Sequence, residues 1–184
     1  LYKIIALQKG LFLVENNVEF YQRDLFQIRD LLDKADIVIH CGGITSVPTT
    51  LEQSNEQIDK QIFRVCTEGT REIINNIRKD CKIIFLSSHT VYDGLTKPTL
   101  NIEENFEPEP LVAYSKSKRQ SEIDLFENDG NFIILRLGSV TGLGRNIRIS
   151  IVSNLFAKFA SQNQKISLFG GGLNFKPFVS IFDV

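Results

Sequence analysis

The chain has 184 residues, 42% of them hydrophobic, and 21 basic side chains against 22 acidic ones leave a formal charge of -1. That balance suits one soluble globular domain with a sizeable core. It excludes a basic footprint able to neutralise a row of phosphates, so no nucleic acid polymer is expected as a partner.

In chain order, short β-branched runs recur at 3–7, 18–22, 36–41, 82–87, 132–137 and 165–169 and read mostly as strands. "IVIHC" and "IIFLS" are nearly continuous rather than alternating, as in strands covered on both faces. Between them, "DLFQIRDLLDKA" carries one apolar stripe through Leu25, Ile28, Leu31, Leu32 and Ala35. Residues 55–78 do the same through Ile58, Ile62, Val65, Ile73 and Ile77, with Gly69 inside the pattern. An interior glycine costs about 1 kcal/mol against alanine, so close contact between this helix and the sheet is expected there. "YSKSKRQSEIDLF" and "ISIVSNLFAKFA" complete the helices. Strand and helix alternate without repeat or linker, which predicts a doubly wound parallel sheet with ligands beyond the carboxyl ends of the strands.

No signal peptide or transmembrane span is read, and no membrane partner is expected. Cys41, Cys66 and Cys81 are odd in number and irregularly spaced, which fits a reducing, cytoplasmic setting. The chain opens at Leu1 in an apolar run and closes in "KPFVSIFDV", a strand leading onward, so a fragment is expected.

Three strand ends carry candidate chemistry. Gly42 and Gly43 after the third run are either a plain turn or a shelf for a flat ligand. Ser87 and Ser88 end the fourth run, where a hydroxyl can orient a carbonyl or alcohol oxygen or cap a turn. Tyr114 and Lys118 share one helix face a turn apart. An ammonium there would favour phenolate and equip the phenol to exchange a proton with an alcohol. The pair alone is weak, because the spacing arises readily by chance; the order of all three features along one sheet edge is the specific signal. His40 and Cys41 are strand neighbours pointing to opposite faces, so no metal site is expected, and His89 reads as an exposed loop histidine.

With these blocks in this order, the sequence resembles the extended short-chain dehydrogenase/reductase family of NAD-dependent epimerases and dehydratases. "DIVIHCGGITSVP" resembles its "ViHlAA" strand and loop, and "CTEGTREII" its "NvxGTxnll", with Cys66 where asparagine is usual. "IIFLSSHTVYDG" matches the "SSxxVYG" block and is also similar to the "SSDYVFDG" form of dehydrorhamnose-type reductases. "YSKSK" matches Tyr-x-x-x-Lys, "ILRLGSVTGLG" the "lRxxnvyGpg" segment, and "FGGGLNFKPFVSIFDV" the late "GxxxRdfxhVdDv" stretch.

The resemblance implies a three-layer Rossmann-like domain over residues 1–184, with a substrate-binding lobe starting at about 142. It implies NAD or NADP as cofactor, a nucleotide-sugar substrate and a homodimer. Ser88, Tyr114 and Lys118 would be catalytic. Asp24, Leu25, Cys41, Gly42, Gly43, Ile44, Ser87, Lys118, Leu137, Gly138, Ser139 and Val140 would line the cofactor, and His89, Thr90 and Lys176 the substrate. The family's first strand and glycine-rich turn find no counterpart, and "YKIIALQKG" resembles its second strand, with Gln8 and Lys9 where an acid often reads the ribose. The same blocks leave open a reductase or dehydrogenase of a non-sugar carbonyl, or a non-catalytic dinucleotide-sensing module.

Overall fold

The run ending in the serine pair forms the middle of a parallel three-stranded sheet. β4 (Lys82–Ser88) lies between β3 (Ile37–His40) and β5 (Asn131–Leu137), with Ile39 opposite Ile84 and Ile84 opposite Ile133. Two further parallel pairs form separate ladders, β1 (Ile4–Leu7) with β2 (Val18–Tyr21) and β6 (Ser139–Thr141) with β7 (Phe178–Ser180). The computed structural model describes residues 4–7, 18–44, 50–142, 144, 147–168, 170–172 and 175–184. Gln8 and Lys9 lie outside the described residues. All paired strands are parallel, and helical crossovers join β3 to β4, β4 to β5 and β6 to β7, so the chain is a Rossmann-like doubly wound α/β fold.

Alternation along β4 decides what faces the helices. Ile83, Phe85 and Ser87 are buried, while Ile84, Leu86 and Ser88 on the other face are only half-buried. On that second face Ile37 and Ile39 are exposed, as is Ile133, so the expected cover on both faces is found on one face among the described residues. The core on the covered side joins Ile28, Leu32, Ile73, Ile83, Phe85 and Leu125. Burying such side chains contributes about 1.5–3 kcal/mol each.

The stripe from Leu25 to Ala35 is buried at Ile28, Leu31 and Leu32, but not in one helix. Asp24 accepts the Phe26 N–H and caps a 3₁₀ turn, Leu25–Gln27, after which α1 (Arg29–Leu32) is one turn long before the chain enters β3. The longer stripe becomes α2 (Glu56–Phe63), capped by Asn55, then a π turn over Arg64–Glu68, then α3 (Gly69–Asn76). Gly69 is buried against the Leu25 side chain, so the close contact it permits is to the 3₁₀ turn and not to the sheet. α4 (Ala113–Glu127) and α5 (Val152–Ser161) follow expectation. The run 165–169 does not: 165–168 form no strand, and Ile166 and Leu168 are exposed. Those residues bury too little to hold an extended ladder.

His40 ends β3 in the core, tilted against the Phe85 ring at 5.4 Å between centroids. The Thr70 hydroxyl donates to the Cys66 carbonyl at 2.6 Å, so at the 3.0 Å contact between Thr70 and His40 the Nε2–H is the donor. Burial, and secondarily the Lys118 charge, push His40 down to about 3. The unfolded chain therefore takes up this proton first as pH falls. The stability gained from a neutral His40 is complete above 6.5 and is lost progressively toward 3.

Two outcomes follow for the scaffold. The His40 ring signals should stay constant by NMR from about pH 7.5 to 4.5, while unfolding free energy drops by up to about 1.4 kcal/mol per pH unit below the ordinary histidine value. Gly94 donates its N–H to the Glu109 carbonyl at 2.7 Å, and a methyl group there would strike that same backbone carbonyl. Gly94→Ala should cost about 1–3 kcal/mol in urea denaturation.

Candidate functional site

The carboxyl end of β4 meets α4, with the ends of β3 and β5 beside it in the sheet, and this edge gathers the three strand-end features. Ser88 leaves β4 as the cap of a 3₁₀ turn, His89–Tyr92, accepting the Thr90 N–H at 3.2 Å and the Thr90 hydroxyl at 3.0 Å. With both bonds accepted, the Ser88 hydroxyl proton is the group left to donate.

Tyr114 and Lys118 occupy the first turns of α4, which packs on β4 and on this 3₁₀ turn. The serines between them are small enough for close approach, and Ser115 and Ser117 are fully buried. Lys118 is 4% exposed. Its ammonium donates to the Leu86 carbonyl at 2.8 Å and lies 4.7 Å from the Phe85 ring centroid and 6.0 Å from that of Tyr114. Burial lowers the Lys118 pKa, opposed by Cys66, Cys41 and Glu122.

The expected lowering of the Tyr114 phenol by Lys118 does not occur in this arrangement. Burial holds the phenol above its ordinary value, Cys66 acts in the same sense and Arg148 opposes them. The ammonium is engaged with a β4 carbonyl and faces the ring, so it contributes little to the phenol oxygen.

The glycine pair lies directly against this lysine. A Cβ on Gly43 would stand 3.8 Å from Lys118 Nζ and 3.5 Å from Cys66 Sγ, and one on Gly42 would press on His40 Cε1 at 3.1 Å. Leu25 reaches the same place, its Cδ2 lying 3.9 Å from that Gly42 position. Ile44 is half-buried; Cys41 is exposed as a residue, but its thiol is partly withdrawn from water, which raises it against the pull of Lys118. Asp24 is exposed and spends one carboxylate oxygen on its cap. Leu25, Gly42, Gly43 and the ammonium thus bound a shelf free of side chains, against which a flat ring could lie.

Other predicted residues separate into two directions. Ser87 is 5% exposed and turns to the helix side, donating to Glu122 at 2.5 Å. Leu137 ends β5, and its carbonyl accepts from His89 Nδ1 at 3.1 Å. His89 is thus half-buried in the 3₁₀ turn and not an exposed loop residue, and burial lowers its pKa, with Lys176 adding to the fall. Lys176 itself is exposed. Gly138 packs on the Pro177 backbone, Ser139 N–H donates to the Pro177 carbonyl at 2.9 Å, and Val140 pairs with Val179. These contacts bring Leu137–Val140 and the Lys176 loop to the same edge.

Residues not anticipated from sequence include Glu122, Arg136 and Tyr92, linked by hydrogen bonds beneath the serine pair. Glu122 stands one turn beyond Lys118, and Arg136 is a lone charge in an apolar strand; both signals were available.

The NAD dependent epimerase/dehydratase family matches residues 2–184. Methionine adenosyltransferase 2 subunit beta of Xenopus laevis is 26% identical over 157 residues, covering 79% of this chain and 45% of that protein. The UDP-glucuronic acid 4-epimerase of Bacillus cereus, solved with UDP-glucuronic acid and NAD, is 22% identical with a TM-score of 0.76 over 92% of this chain and 54% of its own. The UDP-glucose 4-epimerase of Thermotoga maritima, solved with UDP-glucose, is 16% identical with a TM-score of 0.79 over 99% and 62%. The chain therefore spans about half the length of these relatives. A match over nearly every residue, joined to a parallel fold with glycines, serines and a Tyr-Lys pair at one edge, means that the chain belongs to the NAD-dependent epimerase/dehydratase family.

Proposed function

We propose that the intact protein is an NAD(P)-dependent epimerase, dehydratase or reductase of a nucleotide-linked sugar, with the segment from about 142 onward starting its substrate lobe. The single observation that carries this reading is the buried Lys118 ammonium, shared between the glycine shelf, the end of β4 and the Tyr114 ring. NAD is the cofactor favoured, since the Bacillus cereus epimerase of the same fold was solved with it. A homodimer belongs to the same reading. Among the described residues no helix is long and apolar enough to cross a membrane.

The shelf at Leu25, Gly42 and Gly43 would hold the dinucleotide, with Lys118 meeting its ribose, and the bound cofactor supplies hydride exchange with a sugar carbon. Ser88 donates its remaining proton to the reacting oxygen. Tyr114 carries the proton at that oxygen, giving it as a phenol in the reductive direction and taking it as a phenolate in the oxidative one; burial opposes its ionisation. Lys118, 6.0 Å from the Tyr114 ring centroid, would stabilise the phenolate left behind by turning its ammonium from the Leu86 carbonyl toward the phenol oxygen. His89, Thr90 and Lys176 border the place where the sugar nucleotide would lie, and Lys176 offers its phosphates a point charge.

A second reading is favoured by one observation. The Xenopus relative is by name a subunit of a methionine adenosyltransferase, which is in keeping with a non-catalytic module acting beside a partner chain. Tyr114→Phe in the intact protein separates the two. The enzyme reading expects turnover on a nucleotide-sugar panel to fall by about 10²–10⁴ while NAD affinity, by calorimetry, changes less than about threefold. Cofactor binding without turnover in the unsubstituted protein, on sugar and non-sugar carbonyls alike, would favour the module.

A further inference from the structure

Beneath the site lies a buried carboxylate that the proposed chemistry does not use. Glu122 is fully buried, one turn beyond Lys118 on α4. Its Oε1 accepts from Ser87 Oγ at 2.5 Å and from Arg136 Nε at 3.0 Å, and its Oε2 from Arg136 Nη2 at 2.8 Å and Arg119 Nη1 at 3.2 Å. Arg136 extends the network, its Nη1 donating to the Tyr92 hydroxyl at 2.5 Å and to the Glu104 carbonyl at 3.2 Å. A carboxylate withdrawn from water is tolerated only when paired and hydrogen-bonded, and this one is both.

The partners are not scattered. Ser87 immediately precedes Ser88 on β4, Arg136 immediately precedes Leu137 on β5, and Tyr92 ends the 3₁₀ turn that Ser88 caps. One carboxylate on the Tyr-Lys helix therefore ties that helix to the ends of β4 and β5 and, through Arg136 and Tyr92, to the 3₁₀ turn that Ser88 caps. Two of its partners are guanidinium groups, whose planar forks set direction as well as distance. Its charge also reaches the Lys118 ammonium, opposing the fall that burial imposes on that lysine.

We propose that Glu122 is a positioning residue: its buried carboxylate sets the spacing between the helix that carries Tyr114 and Lys118 and the strand ends that carry Ser88 and Leu137. The inference rests on the function proposed above, and part of its test needs no substrate. A second ion pair on α4 provides the control: Arg71 holds Asp124 through two bonds, at 2.8 and 3.1 Å, and anchors the helix to α3 at the surface.

The experiment compares Glu122→Gln, Ser87→Ala and Asp124→Asn in the intact protein. It reads kcat, KM, melting temperature and the phenolate absorbance of Tyr114, the last taken as the difference from Tyr114→Phe across a pH titration. Glu122→Gln and Ser87→Ala should lower kcat at least about tenfold, with substrate KM changed less than about threefold, and should displace the Tyr114 midpoint. Asp124→Asn should do neither. Ser87→Ala keeps the ion pair whole and adds no charge, so it decides the matter if Glu122→Gln fails to fold. An unmoved midpoint in folded Ser87→Ala, or an Asp124→Asn variant as impaired as Glu122→Gln, overturns the proposal. Lack of turnover on every nucleotide sugar counts against the proposed function alone, because the midpoint still reads the positioning role.

Discussion

An ammonium taken out of water must be compensated on every side, and the way Lys118 is compensated organises this molecule. Its partners are a carbonyl of β4, the face of Phe85 and, at longer range, the Glu122 carboxylate, with Cys66 Sγ and the Gly43 backbone beside it. Each belongs to a different stretch of chain. Satisfying one charge therefore fixes α4 against the sheet, brings the π turn beneath it and presents the glycine loop at its open side. Scaffold and site are held by the same contacts.

The helix that carries this lysine buries an unusual face. Ser115, Ser117, Ser121, Lys118 and Glu122 are the buried residues beside Leu125, in place of an apolar stripe. Their polarity is consumed locally. Ser121 donates to the carbonyls of Ser117 and Cys66, Thr67 to that of Ser117 and Thr70 to that of Cys66, so the π turn's free carbonyl finds hydroxyls rather than water. Small hydroxyl side chains let two helices approach closely while leaving no buried donor idle, and hydrogen bonds of this kind set orientation more sharply than aliphatic contacts do.

Two faces of the same sheet have different fates. The side bearing Phe85 and Ile83 packs on α3 and α4, whereas Ile37, Ile39 and Ile133 on the other side are exposed. The site is built from the packed side upward, with Ser87 turned down into Glu122 and Ser88 turned toward the open edge. Strand alternation thus gives two neighbouring serines separate tasks.

The strands of the sheet and the helix stripes were legible along the chain because burial imposes a period on apolar residues, and the ordered Gly-Gly, Ser-Ser and Tyr-x-x-x-Lys blocks marked the edge where a site would form. Local pattern could not separate 165–168 from a strand, since neighbours in space and not propensity decide whether an edge ladder forms. It also could not foresee that Lys118 turns to the Leu86 carbonyl and leaves the Tyr114 phenol raised, because a pKa is set by burial and charge in three dimensions. The sequence by itself determined the fold class and which residue types stand at the strand ends. Only the tertiary structure decided that Ser87 turns to a buried Glu122 shared with Arg136, since hydrogen-bond partners 14 or 35 residues apart in the chain are chosen by packing alone.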